Sequence, residues 1–275
     1  MNPHAAQKIS LRAMVLGLLQ NRQLIAQLIN REVVGRYKGS VMGLLWSFLN
    51  PIFMLSIYTF VFSYVFKSRW SGADVSHGEF AIVAFAGLIV HGVFAEVLGR
   101  APRLIMENAN FVKKVVFPLE VLVPVVAGSA LFHALISVLV LLAAQLVTGG
   151  AIPWTVFLLP LVFLPLILLS IGAGWLFASL GVFLRDLGQL TGVLISVLMY
   201  LSPVFFPISA LPERVRPLFF LNPLTFIIEQ ARAVLIWGSA PSWPGLAIYI
   251  VASAMFAWFG FAWFQKTRKG FADVI

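Results

Sequence analysis

NREVVGRYKGSVMGLLWSFLNPIFMLSIYTFVFSYVF, residues 30–66, is the stretch of this chain that decides its fold class. It begins with charged residues, turns at Gly39, and then runs without a charge for the 26 residues from Val41 to Phe66. An α-helix needs about 20 apolar residues to cross a hydrocarbon core. The pattern therefore predicts a chain that lies along a membrane surface, bends at a glycine and enters the bilayer.

The composition of the whole chain agrees with a membrane protein. It is 61% hydrophobic and 11% charged, whereas soluble domains are about 45–50% apolar and about 25% charged. The net charge is +9. In a membrane protein the distribution of Lys and Arg reports topology first, so this charge does not predict a nucleic-acid partner. The sequence contains no cysteine and no GxxxxGK[ST] phosphate loop. Any ATP-driven work would therefore need a separate subunit.

The chain is predicted to form one all-α transmembrane domain, residues 1–275, with six spans. Residues 1–40, here called the interface helix, carry apolar residues at helical spacing with a soft break around residues 20–23, which is typical of an amphipathic helix in the membrane interface. Residues 100–118 are predicted to form a basic loop. The proline-rich residues 207–245 are predicted to form re-entrant helices on the outer side of the membrane. Asn222-Pro223 is a helix start. The predicted spans are residues 41–66, 80–99, 121–147, 154–184, 190–206 and 246–264.

The distribution of basic residues predicts the orientation of these spans. With both termini in the cytoplasm, fourteen of the nineteen Lys and Arg residues lie on the cytoplasmic side. The positive-inside rule favours that arrangement.

Few titratable residues lie inside the predicted spans, and none forms a pattern typical of catalysis or metal binding. We expect Glu96 to pair with Arg100 at i,i+4, and Glu229 with Arg232 at i,i+3. His91 is expected to pack with a hydrogen bond rather than carry protons or ligands, and the same holds for His133. The chain is therefore predicted not to be an enzyme by its own chemistry.

Four stretches together resemble one family of transporters. They are REVVGRYKGSVMGLLWSFLNP (31–51), ENANFVKKVVFPLEVL (107–122), FLRDLGQLTGVLISVLMYLSPVFFP (183–207) and LNPLTFIIEQARAVL (221–235). Their sequences and their order resemble type-2 ABC exporter permeases of the polysaccharide export group. Within that group the resemblance favours the O-antigen (Wzm-like) branch over the related capsule and teichoic-acid branches.

The resemblance implies an assembly and a task. Two copies of the chain would form a pore in the bacterial inner membrane, and two ATP-binding subunits, which carry the ATP and Mg²⁺, would bind below. The cargo would be a lipid-linked (polyprenyl-diphosphate) polysaccharide. Residues 100–118 are here called the coupling loop, and residues 107–114 within it would form a helix that inserts into a cleft of the ATPase. The residues that the resemblance assigns to this coupling are Glu107, Asn108, Asn110, Phe111, Lys113 and Lys114.

Three further sets of residues receive expected roles. Arg31, Arg36 and Lys38 lie where the chain enters the bilayer and would contact the lipid diphosphate, although cations beside a membrane also mark topology. Aromatic rings can guide the apolar faces of a sugar polymer, and the expected channel lining is Trp46, Tyr58, Phe62, Tyr200 and Phe205. The resemblance places a periplasmic gate at Pro207, Asn222, Pro223, Glu229 and Arg232.

Several alternatives stay open at the level of sequence. The basic loop and the aromatic residues also fit plain topology and interface roles. A type-2 ABC permease for a drug or lipid would share the architecture. A secondary transporter is disfavoured because the spans lack a midplane acid and a recognisable inverted repeat. A purely structural membrane anchor would not need kinked spans and a proline-rich outer segment.

Overall fold

The computed structural model describes residues 9–65, 79–113 and 117–275, and every regular element in these ranges is helical. The helices are α1 (Leu11–Gln20), α2 (Arg22–Tyr37), α3 (Trp46–Thr59), α4 (Glu79–Glu107), α5 (Ala109–Lys113), α6 (Leu122–Val147), α7 (Leu159–Phe183), α8 (Leu187–Tyr200), α9 (Arg216–Phe220), α10 (Pro223–Leu235), α11 (Trp243–Thr267) and α12 (Phe271–Val274). Short 3₁₀ turns lead into α3, α6 and α7, and a π-helical turn, Phe60–Val65, follows α3.

Five helical segments in the described ranges are long and apolar enough to cross a membrane. They are Gly43–Phe62, Glu79–Glu107, Leu119–Val147, Trp154–Phe183 and Trp243–Val274. The sequence predicts another span at residues 190–206, and α8 occupies this place with only 14 residues. At 1.5 Å per residue α8 is about 21 Å long, which is shorter than a hydrocarbon core of about 30 Å. The sixth span therefore stays a prediction.

Helix α4 lies at the centre of the bundle and packs against α6, α7, α8 and α10. Most of its side chains are buried, from Phe80 to Ile105. The sequence places the end of this span at residue 99, but the helix continues to Glu107 and takes up the first part of the coupling loop. The extension forms because Leu104 and Ile105 keep the helical period and bury their side chains against the bundle.

Helices α7 and α11 pack more extensively than any other pair in the described structure. Their backbones approach at two glycines: a Cβ on Gly260 would collide with the carbonyl oxygen of Gly172, and a Cβ on Gly172 would lie 2.8 Å from the Cα of Ala257. Helix α7 runs through Gly172 without a break. Small residues at such contacts let membrane helices approach closely.

The proline-rich outer region folds as short helices. Asn222 begins α10 as predicted: its side chain accepts a hydrogen bond from the backbone N–H of Leu224 at 2.9 Å, and Pro223 takes the first helical position. After α10, Gly238 adopts a φ of +64°, a left-handed conformation that favours glycine. The C-terminal part of α10 is held by Gln145 and Thr155, which donate hydrogen bonds to the carbonyl oxygens of Leu235 and Val234.

The interface helix consists of α1 and α2, which meet at Asn21, inside the break predicted around residues 20–23. Helix α2 packs along α6, with Leu28 and Val33 buried. By contrast, the segment Gly43–Phe62, which contains α3, is the least covered of the five apolar segments, and the large side chains of Phe53 and Ile57 are more than half exposed.

Candidate functional site

Charged residues from three helices meet where α2 leads into the first span. The guanidinium of Arg36 forms an ion pair with Glu96 of α4, and its Nη1 lies 3.1 Å from Nδ1 of His133 on α6. Arg100 of α4 pairs with Glu32 of α2. We call Glu32, Arg36, Glu96, Arg100 and His133 the entrance cluster. It ties the interface helix to two transmembrane helices.

The entrance cluster gives Glu96 two partners besides the predicted Arg100. The i,i+4 contact with Arg100 exists at 4.0 Å, but Glu96 makes its closest contact with Arg36 and a second one, at 3.5 Å, with His133. Such partners cannot be read from helical spacing. His91 donates to the carbonyl oxygen of Ile195 at 3.2 Å, as its predicted packing role requires.

The predicted lipid-diphosphate contacts are only partly brought together. Arg36 belongs to the entrance cluster, whereas Arg31 and Lys38 have exposed side chains on the same part of the chain. Next to them, burial raises the pKa of the Tyr37 hydroxyl, an effect that Arg36 opposes and Glu96 reinforces, so this hydroxyl stays protonated at neutral pH.

A cavity of about 320 Å³ opens beside the entrance cluster between α3, α4 and α6. Glu96, His133 and Ser137 form its polar end, while Met54, Tyr58 and Phe85 are among its apolar walls. Cavities with a mainly apolar lining and a few placed polar groups are typical of ligand sites. This one lies next to Arg36, one of the predicted lipid-diphosphate contacts, which Glu96 and His133 both touch.

Three of the five predicted channel-lining residues form one aromatic cluster. The ring centroids of Phe62 and Phe205 lie 5.6 Å apart with stacked planes, Tyr58 and Phe62 are 6.2 Å apart, and Phe62 also contacts Phe80 at 4.8 Å. These buried and half-buried rings stabilise one another. Trp46 and Tyr200 lie outside the cluster and are 37% and 67% exposed, so they are the members most free to contact a polymer.

The coupling loop emerges from the end of α4 and forms a short helix of its own. The side-chain amide of Asn108 donates to the carbonyl oxygen of Leu104 at 2.8 Å, and Asn108 begins the turn that leads into α5. Glu107 and Asn110 are exposed, whereas Phe111 turns inward and stacks on Phe117 with ring centroids 4.3 Å apart. Lys114 and the side chain of Lys113 lie outside what the structure describes.

The predicted gate residues are organised around Arg232, whose side chain is completely buried. Its Nη1 donates to Glu229 at 2.9 Å, confirming the predicted i,i+3 pair, while its Nε and Nη2 donate to the carbonyl oxygens of Val83 and Val204. Burial lowers the pKa of Arg232 to about 10, and Glu229 opposes the shift, so the guanidinium stays charged at neutral pH.

Two more of the predicted gate residues lie in the same outer region. Asn222 donates from its side chain to the carbonyl oxygen of Leu198 and to the hydroxyl of Ser202, both at 2.8 Å, and so fixes α10 against the end of α8. Pro207 precedes a 3₁₀ turn, Ile208–Ala210, in the segment between α8 and α9.

The partner of Glu120 is visible only in the folded chain. Arg268, which in the sequence reads as a topology marker, donates to Glu120 at 2.8 Å and to the carbonyl oxygen of Phe117 at the same distance. The two charged residues are 148 positions apart, so no local spacing could reveal the pair. Within residues 9–65, 79–113 and 117–275, no three His, Asp or Glu side chains come together in a way that could hold a metal ion.

Comparison with known proteins places the chain among transporters. Residues 23–236 match the family model described as ABC-2 type transporter. An O-antigen export system permease protein, RfbA, of Myxococcus xanthus is 27% identical over 264 residues, which cover 95% of this chain and 99% of the relative. An RfbA of Klebsiella pneumoniae is 25% identical over 92% of this chain and 95% of its own length.

Capsule export proteins are similar as well. The capsule polysaccharide export inner-membrane protein CtrC of Neisseria meningitidis serogroup B is 24% identical over 255 residues, covering 90% of this chain and 92% of the relative. The similarity in all three cases spans the entrance cluster, the coupling loop and the proline-rich outer region.

Proposed function

The chain belongs to the ABC-2 type transporter family, and we propose that it is the membrane-spanning subunit of an ATP-driven exporter that carries a polysaccharide across the bacterial inner membrane. The observation that carries the proposal is the nearly full-length similarity to an O-antigen export permease, over 95% of this chain and 99% of the relative. A match of that extent is one of whole subunits and not of a few helices alone.

We further propose that the cargo is O-antigen linked to a polyprenyl diphosphate. The diphosphate would meet the exposed cations Arg31 and Lys38, close to Arg36 in the entrance cluster. Arginine and lysine are suited to this task because they donate charge-assisted hydrogen bonds to phosphate oxygens. The cavity beside the cluster offers an apolar wall for the neighbouring lipid or sugar.

The active assembly would contain two copies of this chain and two ATP-binding subunits. Two described helices support a second copy because they leave apolar surface uncovered: α3, and α8 with Leu190, Val193 and Tyr200 each more than 60% exposed. These surfaces carry the expected channel residues Trp46 and Tyr200. The ATPases would bind the coupling loop, whose exposed Glu107 and Asn110 face away from the bundle.

The proposal includes six spans with both termini in the cytoplasm. The sixth crossing would combine α8 with the turns that follow it up to Pro207, and the outer helices α9 and α10 would then form the periplasmic gate. The hydrogen bonds of the buried Arg232 and of Asn222 support this assignment, because they connect α10 with α4 and with the end of α8 and the turns after it.

Deletion of the gene in its native host tests the function directly. We expect loss of the O-antigen ladder in gel electrophoresis of lipopolysaccharide, together with accumulation of lipid-linked polymer on the cytoplasmic side. Re-expression of the wild-type chain should restore both. An unchanged ladder would contradict O-antigen export.

The similarity to CtrC supports capsular polysaccharide as a second candidate cargo. The same deletion strain separates the two, because a capsule exporter would lose capsule staining while the lipopolysaccharide ladder stays intact. Purification of the tagged chain in mild detergent, with mass spectrometry of the co-eluting proteins, tests the assembly. A stoichiometric ATP-binding subunit is expected, and a chain that purifies and crosslinks alone would favour a secondary transporter.

A further inference from the structure

The start of α6 is held in place from the end of α11. Nη1 of Arg268 donates to Oε2 of Glu120 at 2.8 Å, and Nη2 donates to the carbonyl oxygen of Phe117 at 2.8 Å. Both side chains of the ion pair are mostly buried, with 17% and 13% of their surfaces exposed. A planar guanidinium that spans two acceptors fixes their relative position better than a single charge contact does.

The point held by Arg268 is where the coupling loop returns to the bundle. Phe117 is the residue on which Phe111 of α5 stacks, with the two ring planes only 11° from parallel. The indole N–H of Trp175 on α7 donates to the backbone carbonyl oxygen of Glu120 at 2.9 Å. Residues 117–120 therefore connect the coupling loop with α7 and α11 at once.

The segment after Arg268 folds back beneath the helices. Phe271 is completely buried, and its ring contacts Phe264 of α11 at 5.5 Å and Phe183 of α7 at 6.0 Å. Helix α12 packs against both α5 and α7. Arg268 thus lies between an anchored C-terminal segment on one side and the exit of the coupling loop on the other.

We propose that Arg268 is a positioning residue for energy coupling: it holds residues 117–120, and through them α5, against α11. The inference rests on the proposed function, because it assumes that an ATPase moves the coupling loop. A displacement of α5 would then reach α11 and α7 through Arg268 and Trp175. Without Arg268 the ATPase would still bind, but its motion would be transmitted poorly from α5 to α11 and α7.

The position of α5 can be measured without any ATPase. Because the chain has no cysteine, nitroxide labels at Asn110→Cys and Lys266→Cys, both exposed positions, report the distance from α5 to the end of α11 by pulsed electron spin resonance. Arg268→Gln should broaden this distance distribution. The displaced population should rise about tenfold or more, because the variant loses at least the charge-assisted hydrogen bond to Glu120. Arg268→Lys should restore part of the narrow distribution.

Coupling is then measured on the complete transporter in proteoliposomes. Arg268→Gln should raise the ATP consumed per polymer exported, because hydrolysis by displaced molecules moves no polymer, with ATPase binding unchanged. Arg268→Lys should recover part of the wild-type ratio. The matched control is Lys269→Gln, which removes an exposed cation one residue away and should change neither readout.

Three results would overturn the inference. An unchanged distance distribution in Arg268→Gln would show that this residue does not hold α5. If Arg268→Gln broadens the distance distribution but leaves the ATP consumed per polymer normal, Arg268 has a structural role only. Equal effects of Lys269→Gln and Arg268→Gln would assign the effect to net charge. If no ATPase co-purifies with the wild-type chain, the proposed function itself fails, while the distance measurement still reports on the ion pair.

Discussion

Arg232 shows how one residue can hold an irregular region of a membrane protein together. It is the one charged side chain among the described residues that has no exposed surface. The proline-rich outer region around it, residues 207–245, lacks long helices, so backbone carbonyl groups there need other donors. Arg232 supplies them for Val83 and Val204. Gly87 makes room for it, since a Cβ at that position would lie 3.0 Å from Nη2.

We predict that Arg232→Met destabilises the purified protein by about 3 kcal/mol, because it leaves buried acceptors without a donor. Thermal unfolding in detergent measures the change. Arg214→Met is the matched control: Arg214 is exposed, so its replacement should alter stability by no more than about 0.5 kcal/mol. Equal melting temperatures of the two variants would contradict the role assigned to the buried guanidinium.

At the scale of elements, the packing of α7 against α11 depends on the absence of side chains at Gly172 and Gly260. Membrane helices gain little from the hydrophobic effect when they associate in lipid, so close van der Waals contact matters more. The collision expected for a Cβ on Gly260 involves backbone atoms, which cannot rotate away as a flexible side chain can.

Gly260→Ala should therefore cost about 1–3 kcal/mol through overpacking, and should lower the melting temperature in detergent. The matched control is Gly17→Ala in α1, where a Cβ would meet no atom within 4 Å. That variant should be neutral or slightly stabilised, since alanine favours a helix interior by about 1 kcal/mol over glycine. Destabilisation of both variants to the same extent would argue against a specific α7–α11 contact.

The coupling loop is the second element with a testable task. We predict that replacing both Lys113 and Lys114 with alanine uncouples ATP hydrolysis from export and leaves the fold intact, because the two cations would contact the ATPase. The loss of surface polysaccharide and the ATPase rate of the purified complex are the two measurements.

Arg12→Ala/Arg22→Ala serves as the control for that pair, since it removes two exposed cations from the interface helix. We expect normal export from the control. If the lysine double variant is expressed normally and the surface polysaccharide is unchanged, Lys113 and Lys114 have no role in coupling.

At the scale of the whole molecule, the number of membrane crossings decides on which side Arg268 and the C-terminal segment are found. Four of the five long apolar helices in the described ranges precede α8, and α11 follows it. If α8 and its following turns cross, the residues after α11 lie in the cytoplasm. If they do not, those residues lie outside.

Labelling of single cysteines with a membrane-impermeant maleimide decides between these topologies. We expect Ala151→Cys, in the turn between α6 and α7, to react in cells whose outer membrane alone has been permeabilised. Lys269→Cys should react only after the inner membrane is opened. Both positions are exposed. Reaction of Lys269→Cys from outside would refute the six-span topology and both cytoplasmic termini.

The sequence by itself determined the class of protein and several local features. Long uncharged runs predicted the five segments that form long apolar helices in the described ranges. Asn222-Pro223 specifies a helix start through atoms that are neighbours in the chain. The resemblance carried by four short stretches indicated the family from the sequence alone, and residues 23–236 match it. Such signals are local, so they can be found by reading along the chain.

The tertiary structure alone decided which distant residues meet. Arg36 reaches Glu96 across 60 positions and His133 across 97, and Arg268 reaches Glu120 across 148. Packing also decided where α4 ends, because Leu104 and Ile105 extend the helix by burying their side chains. These outcomes depend on how helices dock against one another. Helical periodicity describes only one helix at a time, so it could not predict which residues of different helices come into contact.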